Sequence, residues 1–203
     1  MNIAIIGTGN VGGALATVWS RKGHTILLGV KDLNSFKGAD LLKNDRTSVQ
    51  PIDEAVAKSE VILIATPPTA VFSILEQTGD VTGKTIIDAT NSVRQPPEPY
   101  KTVYHCLTDR TDADVVKCFN TTGFENMLDP IYDGGGIDMF MAGDSDKAKD
   151  VARKLALDAG FSTFLDFGKA DKVELLEKLA LSWINLAIMQ GHGRNIAFKV
   201  VKR

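Results

Sequence analysis

Two rhythms of apolar residues alternate along the chain, and together they outline a series of strands and helices. Residues 1–6 form an apolar run leading into a glycine, which suits a strand buried on both faces of a parallel sheet. Residues 11–22 then carry Val11, Leu15, Val18 and Trp19 at helical spacing and stop at Gly23, a residue type that favours a helix end. A second short strand follows over 24–29, a short helix over 53–58 and a third buried strand over 60–65. Further strands are predicted at Thr85–Asp88, 115–119, Asp138–Ala142 and 161–166, with a helix over 145–159 capped by Asp144 or Ser145 and ended by Gly160. Strands alternating with helices predict parallel pairing through right-handed crossovers, hence an α/β fold with an open, doubly wound parallel sheet. Last comes one long apolar-rich helix over 171–189, built on Val173, Leu176, Leu179, Ala180, Trp183, Leu186 and Ala187. It has more apolar surface than one sheet face needs, so three readings stay open: packing on its own core, a dimer interface, or the wall of a substrate cleft.

The turn after the first strand narrows the picture. Gly7-Thr8-Gly9-Asn10-Val11-Gly12 is a G-x-G-x-x-G set between a buried strand and a helix, within a βαβ unit of about 30 residues. Alone the pattern is weak, because glycine is common. In this context it marks a Rossmann-type dinucleotide turn, with an ordinary glycine turn as the bland alternative. Gly7 permits the tight turn, Gly9 lets the backbone approach a pyrophosphate, and Gly12 allows close helix–strand packing. The amides of residues 8–11 then point at the phosphates, helped by the positive end of the helix.

An NAD site holds the ribose 2′-OH with Asp or Glu at the end of the second strand, about 20 residues beyond the glycines. Here the strand-end positions are Gly29 and Val30, without a carboxylate, and the first charged residue is Lys31. A lysine suits the 2′-phosphate of NADP(H), as a point charge without arginine's bidentate grip. Asp32 keeps NAD open should the loop be offset by one residue, and Lys31 could equally be a solvated loop lysine. Ligands of parallel sheets sit beyond the carboxyl ends of the strands, so Thr66 and Pro67 after the third strand should flank the same cofactor. Thr90 and Asn91, after the strand ending at Asp88, are placed in the same way, though both stretches could be ordinary turns.

Composition limits the partners. The 203 residues are 44% hydrophobic and 24% charged with a net charge of −2, which points away from nucleic acid and from anionic membrane surfaces. The most apolar stretch, 61–72, is interrupted by Pro67-Pro68 and is too short to span a bilayer. Cys106 and Cys118 lack metal-ligand or C-x-x-C spacing; we expect reduced thiols, no metal, and a soluble cytoplasmic protein.

Several further strings sharpen the reading: Gly29-Val30-Lys31, Ile87-Asp88-Ala89-Thr90-Asn91, Val116-Lys117-Cys118-Phe119-Asn120-Thr121, Gly143-Asp144 and Gly193-Arg194-Asn195-Ile196-Ala197-Phe198. With the glycine turn, they make nearly the whole chain resemble the NADPH-dependent oxidoreductases related to the coenzyme F-420:NADP oxidoreductase. The Val-Lys-x-Phe-Asn-Thr string is the most specific of these. The resemblance implies an NADP-binding Rossmann domain over 1–168 with a small C-terminal helical extension over 169–203, usually dimeric. It implies that residues 8–11 hold the pyrophosphate, Val30 and Lys31 the 2′-phosphate, and that Thr66, Pro67 and Asn91 line the nucleotide cleft. It also implies hydride transfer between the nicotinamide and a flavin-like or deazaflavin ring. Three positions depart from the family pattern: Val30 replaces a common Ser or Thr, Ser92 a usual proline, and Gly168-Lys169-Ala170 a usual Gly-Pro-Leu.

Reducing a carbonyl or oxidising an alcohol needs a protein group to move a proton beside the hydride. None of Tyr100, Tyr104 or Tyr132 has a lysine four residues on, His24 opens a strand, and His105 and His192 lack a recognisable carboxylate partner. No catalytic acid or base is therefore assigned. Ring-to-ring hydride transfer needs none, only two stacked rings held in a dry cleft. Asn120 and Thr121 could hydrogen-bond the second substrate or simply cap the following segment, and Arg194 could meet an anionic substrate tail or an acidic partner surface, or be solvated. The leading expectation is an NADP(H)-dependent oxidoreductase with a small-molecule flavin-type or deazaflavin acceptor. A carbonyl or imine reductase and a non-catalytic NADP(H) sensor are its rivals.

Overall fold

The computed structural model describes residues 1–203. Six strands run parallel: β1 (Asn2–Ile6), β2 (Thr25–Val30), β3 (Thr47–Pro51), β4 (Val61–Ile64), β5 (Thr85–Asp88) and β6 (Asp114–Cys118). A small hairpin, β7 (Ile131–Tyr132) and β8 (Gly135–Gly136), stands apart from the sheet. β9 (Asp138–Ala142) then joins β6 antiparallel, and β10 (Thr163–Asp166) joins β9 parallel. The sheet order is β10-β9-β6-β5-β4-β1-β2-β3. Between β4 and β2 lies β1, so the chain reverses its winding direction there and opens a crevice above the glycine turn.

The helices are α1 (Asn10–Arg21), α2 (Ile52–Ala57), α3 (Val71–Thr78), α4 (Val103–Arg110), α5 (Phe124–Leu128), α6 (Asp146–Asp158) and α7 (Val173–Ile184). Alternation along β1 shows how the sheet divides the core. Ile3 and Ile5 face Leu15 and Trp19 of α1 and Leu155 of α6. Ala4 and Ile6 belong to the opposite core, with Ile52 of α2, Ile74 of α3, Leu107 of α4 and Leu176 of α7. Both faces are covered by helices, which is why the central strands read as nearly unbroken apolar runs.

The expected doubly wound sheet is present, with one departure: β9 and β10 run against the other six strands. A parallel return needs a crossover of a dozen or more residues, usually helical. The chain between β6 and β9 holds only the five-residue α5 and the small hairpin, so it comes back from the same end. The edge strand β3, and helices α3, α4 and α5, have no counterpart in the pattern-based reading. β3 reads Thr-Ser-Val-Gln-Pro, without the apolar alternation that marks a strand, and as an edge strand it tolerates the proline at its end. The long C-terminal helix is also less uniform than its periodicity suggests. It opens with a 3-10 turn at Ala170–Lys172 and finishes with a π-helical turn at Asn185–Met189. Its inward face is Val173, Leu176, Ala180, Trp183 and Ala187, while Leu175, Ile188 and Met189 stay exposed. No helix is long and apolar enough to cross a membrane.

Candidate functional site

Strand register places the candidate residues on one line. Gly29, Ile6, Ile64, Asp88 and Lys117 are successive partners across β2, β1, β4, β5 and β6. Two residues beyond that row, by count, come Lys31, Thr8, Thr66, Thr90 and Phe119. The sheet therefore presents these loops side by side along its carboxyl edge.

At the glycine turn the three glycines have three different reasons. A Cβ on Gly7 would sit 2.4 Å from the Ala65 carbonyl oxygen, and its φ of +104° is one that side chains disfavour. A Cβ on Gly12 would lie 1.9 Å from the Gly7 carbonyl oxygen, so α1 can approach β1 only without one. At Gly9 a Cβ would meet nothing within 4 Å, and the backbone is ordinary extended chain at φ −74°. The fold thus requires Gly7 and Gly12 but leaves open space at Gly9. α1 begins there with no side-chain cap and no acidic residue in its first turn, so its first amides are free to meet an anion.

A cavity of about 220 Å³ opens beside this turn, lined by Gly7, Thr8, Val30, Lys31, Thr66 and Pro67 among others. Six of the residues expected to hold the cofactor thus share one cavity wall. Lys31 donates to Ser73 Oγ of α3 at 2.6 Å and has no carboxylate within ion-pair distance. Asp32 is already engaged: its Oδ1 accepts the Asn34 amide at 2.9 Å and caps the short turn Leu33–Ser35. Neither charge is ion-paired, but the Asp32 carboxylate is committed to capping its own turn, whereas Lys31 meets only a hydroxyl.

Further along the carboxyl edge, Thr66 Oγ1, Thr90 Oγ1 and Asn120 Oδ1 are buried and have no hydrogen-bond partner. Buried polar atoms are nearly always satisfied, so three such atoms after three adjacent strands are candidate contacts for a polar ligand, while two more, Thr47 Oγ1 and Glu125 Oε2, lie elsewhere. Asn91 and Asn120 are brought together by reciprocal hydrogen bonds, Asn91 Nδ2 to the Asn120 carbonyl at 3.0 Å and Asn120 Nδ2 to Asn91 Oδ1 at 3.0 Å. Phe119, just before Asn120, has φ +63°, a left-handed backbone that costs a non-glycine residue about 1–2 kcal/mol. Edge-on packing against Trp19 and Phe161 holds it there, with centroid distances of 5.5 Å and 6.4 Å. This sharp turn carries the chain from β6 into Asn120. Thr121 is buried beside it.

Two groups that sequence reading passed over complete the picture. Lys117 stands in β6 with no exposed surface and donates to Asp88 Oδ2 at 2.9 Å, the Thr90 carbonyl at 2.6 Å and Glu177 Oε1 of α7 at 2.6 Å. Glu177 Oε2 in turn accepts the Ser92 amide at 2.7 Å. Burial pushes the Glu177 carboxyl above its ordinary range, against the opposing pull of Lys117. A sequence signal for both existed: a lysine inside a fully apolar strand, and a glutamate among the inward positions of an apolar helix, each demand a buried counter-charge.

Of the remaining candidates for proton chemistry, His192 is exposed and makes no side-chain hydrogen bond, and the others are engaged. Tyr100 bonds Asp109, the Tyr104 hydroxyl accepts the Asp144 amide at 3.1 Å, and Tyr132 donates to Asn126 at 2.7 Å. His24 pairs with Asp158 at 2.9 Å, and His105 bonds the Thr102 hydroxyl at 2.7 Å. Arg194 stays part-exposed, but its guanidinium is already engaged. It pairs with Glu125 and lies over the rings of Phe124 and Trp183, pinning the C-terminal segment.

A parallel sheet whose first crossover is a glycine turn facing an open crevice is the arrangement of the NAD(P)-binding Rossmann class. Residues 2–92 match the family described as "NADP oxidoreductase coenzyme F420-dependent", the family that the sequence resembles. A solved structure from Arthrobacter sp. FB24, provisionally described as an F420-dependent NADP reductase, superposes with a TM-score of 0.88 at 24% identity, each chain fully covered. The Streptomyces aurantiacus imine reductase superposes with a TM-score of 0.70 at 16% identity, over 94% of this chain and 64% of that one. At such identities the likeness concerns the fold. A glycerol-3-phosphate dehydrogenase [NAD(P)+] of Macrococcus caseolyticus is 26% identical over 126 residues, which are 56% of this chain. The chain spans only 38% of the length of that relative, and 30% of a second such dehydrogenase from a Thermoanaerobacter species.

Proposed function

We propose that the protein is an NADP(H)-dependent oxidoreductase that passes a hydride between nicotinamide and a flavin-like or deazaflavin (coenzyme F-420) ring. The observation that carries this reading is the row of unpartnered buried atoms, Thr66 Oγ1, Thr90 Oγ1 and Asn120 Oδ1, continuing from the glycine turn along the carboxyl edge. A dinucleotide laid along that edge would supply the hydride, and the chain's residues supply its position.

In this reading Gly7, Thr8, Gly9, Asn10, Val11 and Gly12 form the pyrophosphate cradle, and the free amides at the start of α1 bind its negative charge. Lys31, beside Val30 and without a carboxylate partner, takes the 2′-phosphate. Thr66 and Pro67 wall the middle of the cleft. Thr90, Asn91, Asn120 and Thr121 orient the nicotinamide and the ring that meets it. Every tyrosine is engaged away from this edge, as are His24 and His105, which supports a transfer that asks no proton of the protein. Residues 1–168 act as the cofactor domain and 169–203 as its helical extension. The working unit is a homodimer in the cytoplasm whose partner is a small-molecule acceptor. Exposed Leu175, Ile188 and Met189 are the surface a second copy would cover, and two buried free thiols suit a reducing compartment.

The test is to titrate NADPH and NADH separately, then supply FMN, FAD, deazaflavin, a ferric chelate and small carbonyls or imines while following nicotinamide absorbance. Tighter NADPH binding and loss of absorbance with a flavin-type ring is the expected result. Turnover with carbonyls or imines alone would move the protein to the reductase class, and tight binding without any turnover to the sensors.

A further inference from the structure

The Lys117 set is expensive to bury. Two carboxylates share one ammonium, and Lys117 and Asp88 have no exposed side-chain surface at all. Breaking such a set is strongly destabilising, yet replacing it by apolar residues of similar volume is often neutral or favourable, so stability alone is a weak reason for it. Its hydrogen bonds show where it acts instead. Asp88 Oδ1 accepts the Thr90 amide at 2.9 Å, Lys117 donates to the Thr90 carbonyl at 2.6 Å, and Glu177 Oε2 accepts the Ser92 amide at 2.7 Å. Ser92 Oγ then accepts the Val103 amide at the start of α4, at 3.3 Å. Three backbone groups of the Thr90-Asn91-Ser92 loop are thus fixed from beneath. The loop's cleft-facing groups, Thr90 Oγ1 and the Asn91 amide tied to Asn120, lie between those anchor points. Glu177 is the α7 member of the set, so it couples the C-terminal helix to the loop.

We propose that Lys117, Asp88 and Glu177 are positioning residues that set the Thr90-Asn91-Ser92 loop, and through it the nicotinamide half of the cleft, in register with α7. The proposal rests on the function proposed above. It makes the C-terminal helix a determinant of how the nicotinamide is held, while the adenosine half depends only on the glycine turn and Lys31. Glu177→Gln isolates the effect. An amide cannot accept from both Lys117 and Ser92 with its two ends, so one contact is lost, while the neutral Lys117–Asp88 pair remains to keep the core intact.

The experiment compares two ligands on the full chain: NADPH, followed by its nicotinamide fluorescence, and adenosine 2′,5′-bisphosphate, which lacks the nicotinamide, followed by calorimetry. Glu177→Gln should weaken NADPH about tenfold and reduce its fluorescence enhancement, with bisphosphate affinity held within about twofold. Lys117→Met leaves two buried carboxylates without their counter-charge and should melt well below wild type, so Glu177→Gln is the variant that reads the split. Unchanged binding of both ligands in Glu177→Gln, or an equal loss for both, would overturn the positioning role. A wild-type protein that binds neither ligand would instead strike the function reading itself, and the positioning role with it.

Discussion

Asn91 and Asn120 lie 29 residues apart and hold each other by two hydrogen bonds of 3.0 Å, one to a backbone carbonyl and one to a side-chain oxygen. This pair closes the gap between the ends of β5 and β6 and leaves Asn120 Oδ1 unsatisfied. Asn91→Ala removes both bonds and leaves the Asn120 carbonyl and amide unpaired. We expect a stability loss of about 1–3 kcal/mol, because orphaned buried groups cost more than the bond itself contributed. Asn120→Ala should lower the rate of NADPH oxidation more than Asn91→Ala does, since only Asn120 carries an orphan acceptor. Thermal unfolding together with single-turnover kinetics separates the two effects, and equal kinetic losses would contradict this assignment.

Gly9 and Gly12 make opposite predictions from the same substitution. Gly12→Ala drives a methyl into the Gly7 carbonyl, so the chain should express poorly or melt well below wild type. Gly9→Ala meets no protein atom and should leave the melting temperature of the ligand-free protein unchanged. Its methyl would nevertheless enter the space where a pyrophosphate must approach, and NADPH affinity should fall by at least about tenfold, or roughly 1.4 kcal/mol. Melting curves with and without NADPH check both claims. A Gly9→Ala protein stabilised by NADPH as much as wild type would show that the turn does not cradle phosphate.

In the proposed reading, Lys31 sets the choice between NADP(H) and NAD(H). Its ammonium meets Ser73 and no carboxylate, while the Asp32 carboxylate is spent on capping its own turn. Lys31→Met should weaken NADPH by about tenfold and leave NADH within about twofold, because a charge-assisted contact to phosphate contributes on the order of 1.5–3 kcal/mol before salt screening. Raising ionic strength should narrow the difference. If Asp32→Ala weakens NADH binding while Lys31→Met changes nothing, the preference for NADP(H) falls.

What the sequence made legible follows from the range of the interaction involved. Buried strands such as β1 and β4, and the glycine turn between β1 and α1, announce themselves because local chain geometry and burial act on consecutive residues. Strand β3 did not, since its pairing with β2 comes from tertiary context and its residues carry no apolar alternation. The reversed β9 and β10 were illegible for a related reason: strand direction depends on where the preceding loop ends, not on the strand's own residues. At the site, the row of Lys31, Thr8, Thr66 and Thr90 was readable because parallel register turns equal offsets past strand ends into neighbours in space. Glu177 was not, because it lies 60 residues from Lys117 in the chain and meets it only when α7 packs on the sheet. The same holds for Arg194, whose partners Glu125, Phe124 and Trp183 come from two other elements.

Glu177 also gives the fold a signed dependence on pH. Desolvation raises its carboxyl above the ordinary glutamate range, with Lys117 pulling the other way. In the unfolded chain the group titrates normally, so between the two values the native state holds the proton more tightly. The stability this provides is fully present below the unfolded value and is lost as pH rises through the higher native one. Carboxylates such as Asp114, whose pKa is held low by bonds from Lys147 and Ser145, act in the opposite sense and lose their contribution as pH falls. The net curve is their sum, so the informative quantity is the difference between wild type and Glu177→Gln. Denaturant unfolding from about pH 4 to pH 8 should show that difference moving in favour of the Gln variant as pH increases, since the variant has no buried carboxyl to ionise. A difference that stays flat, or moves in favour of wild type, would mean that Glu177 is held fully ionised by Lys117 throughout.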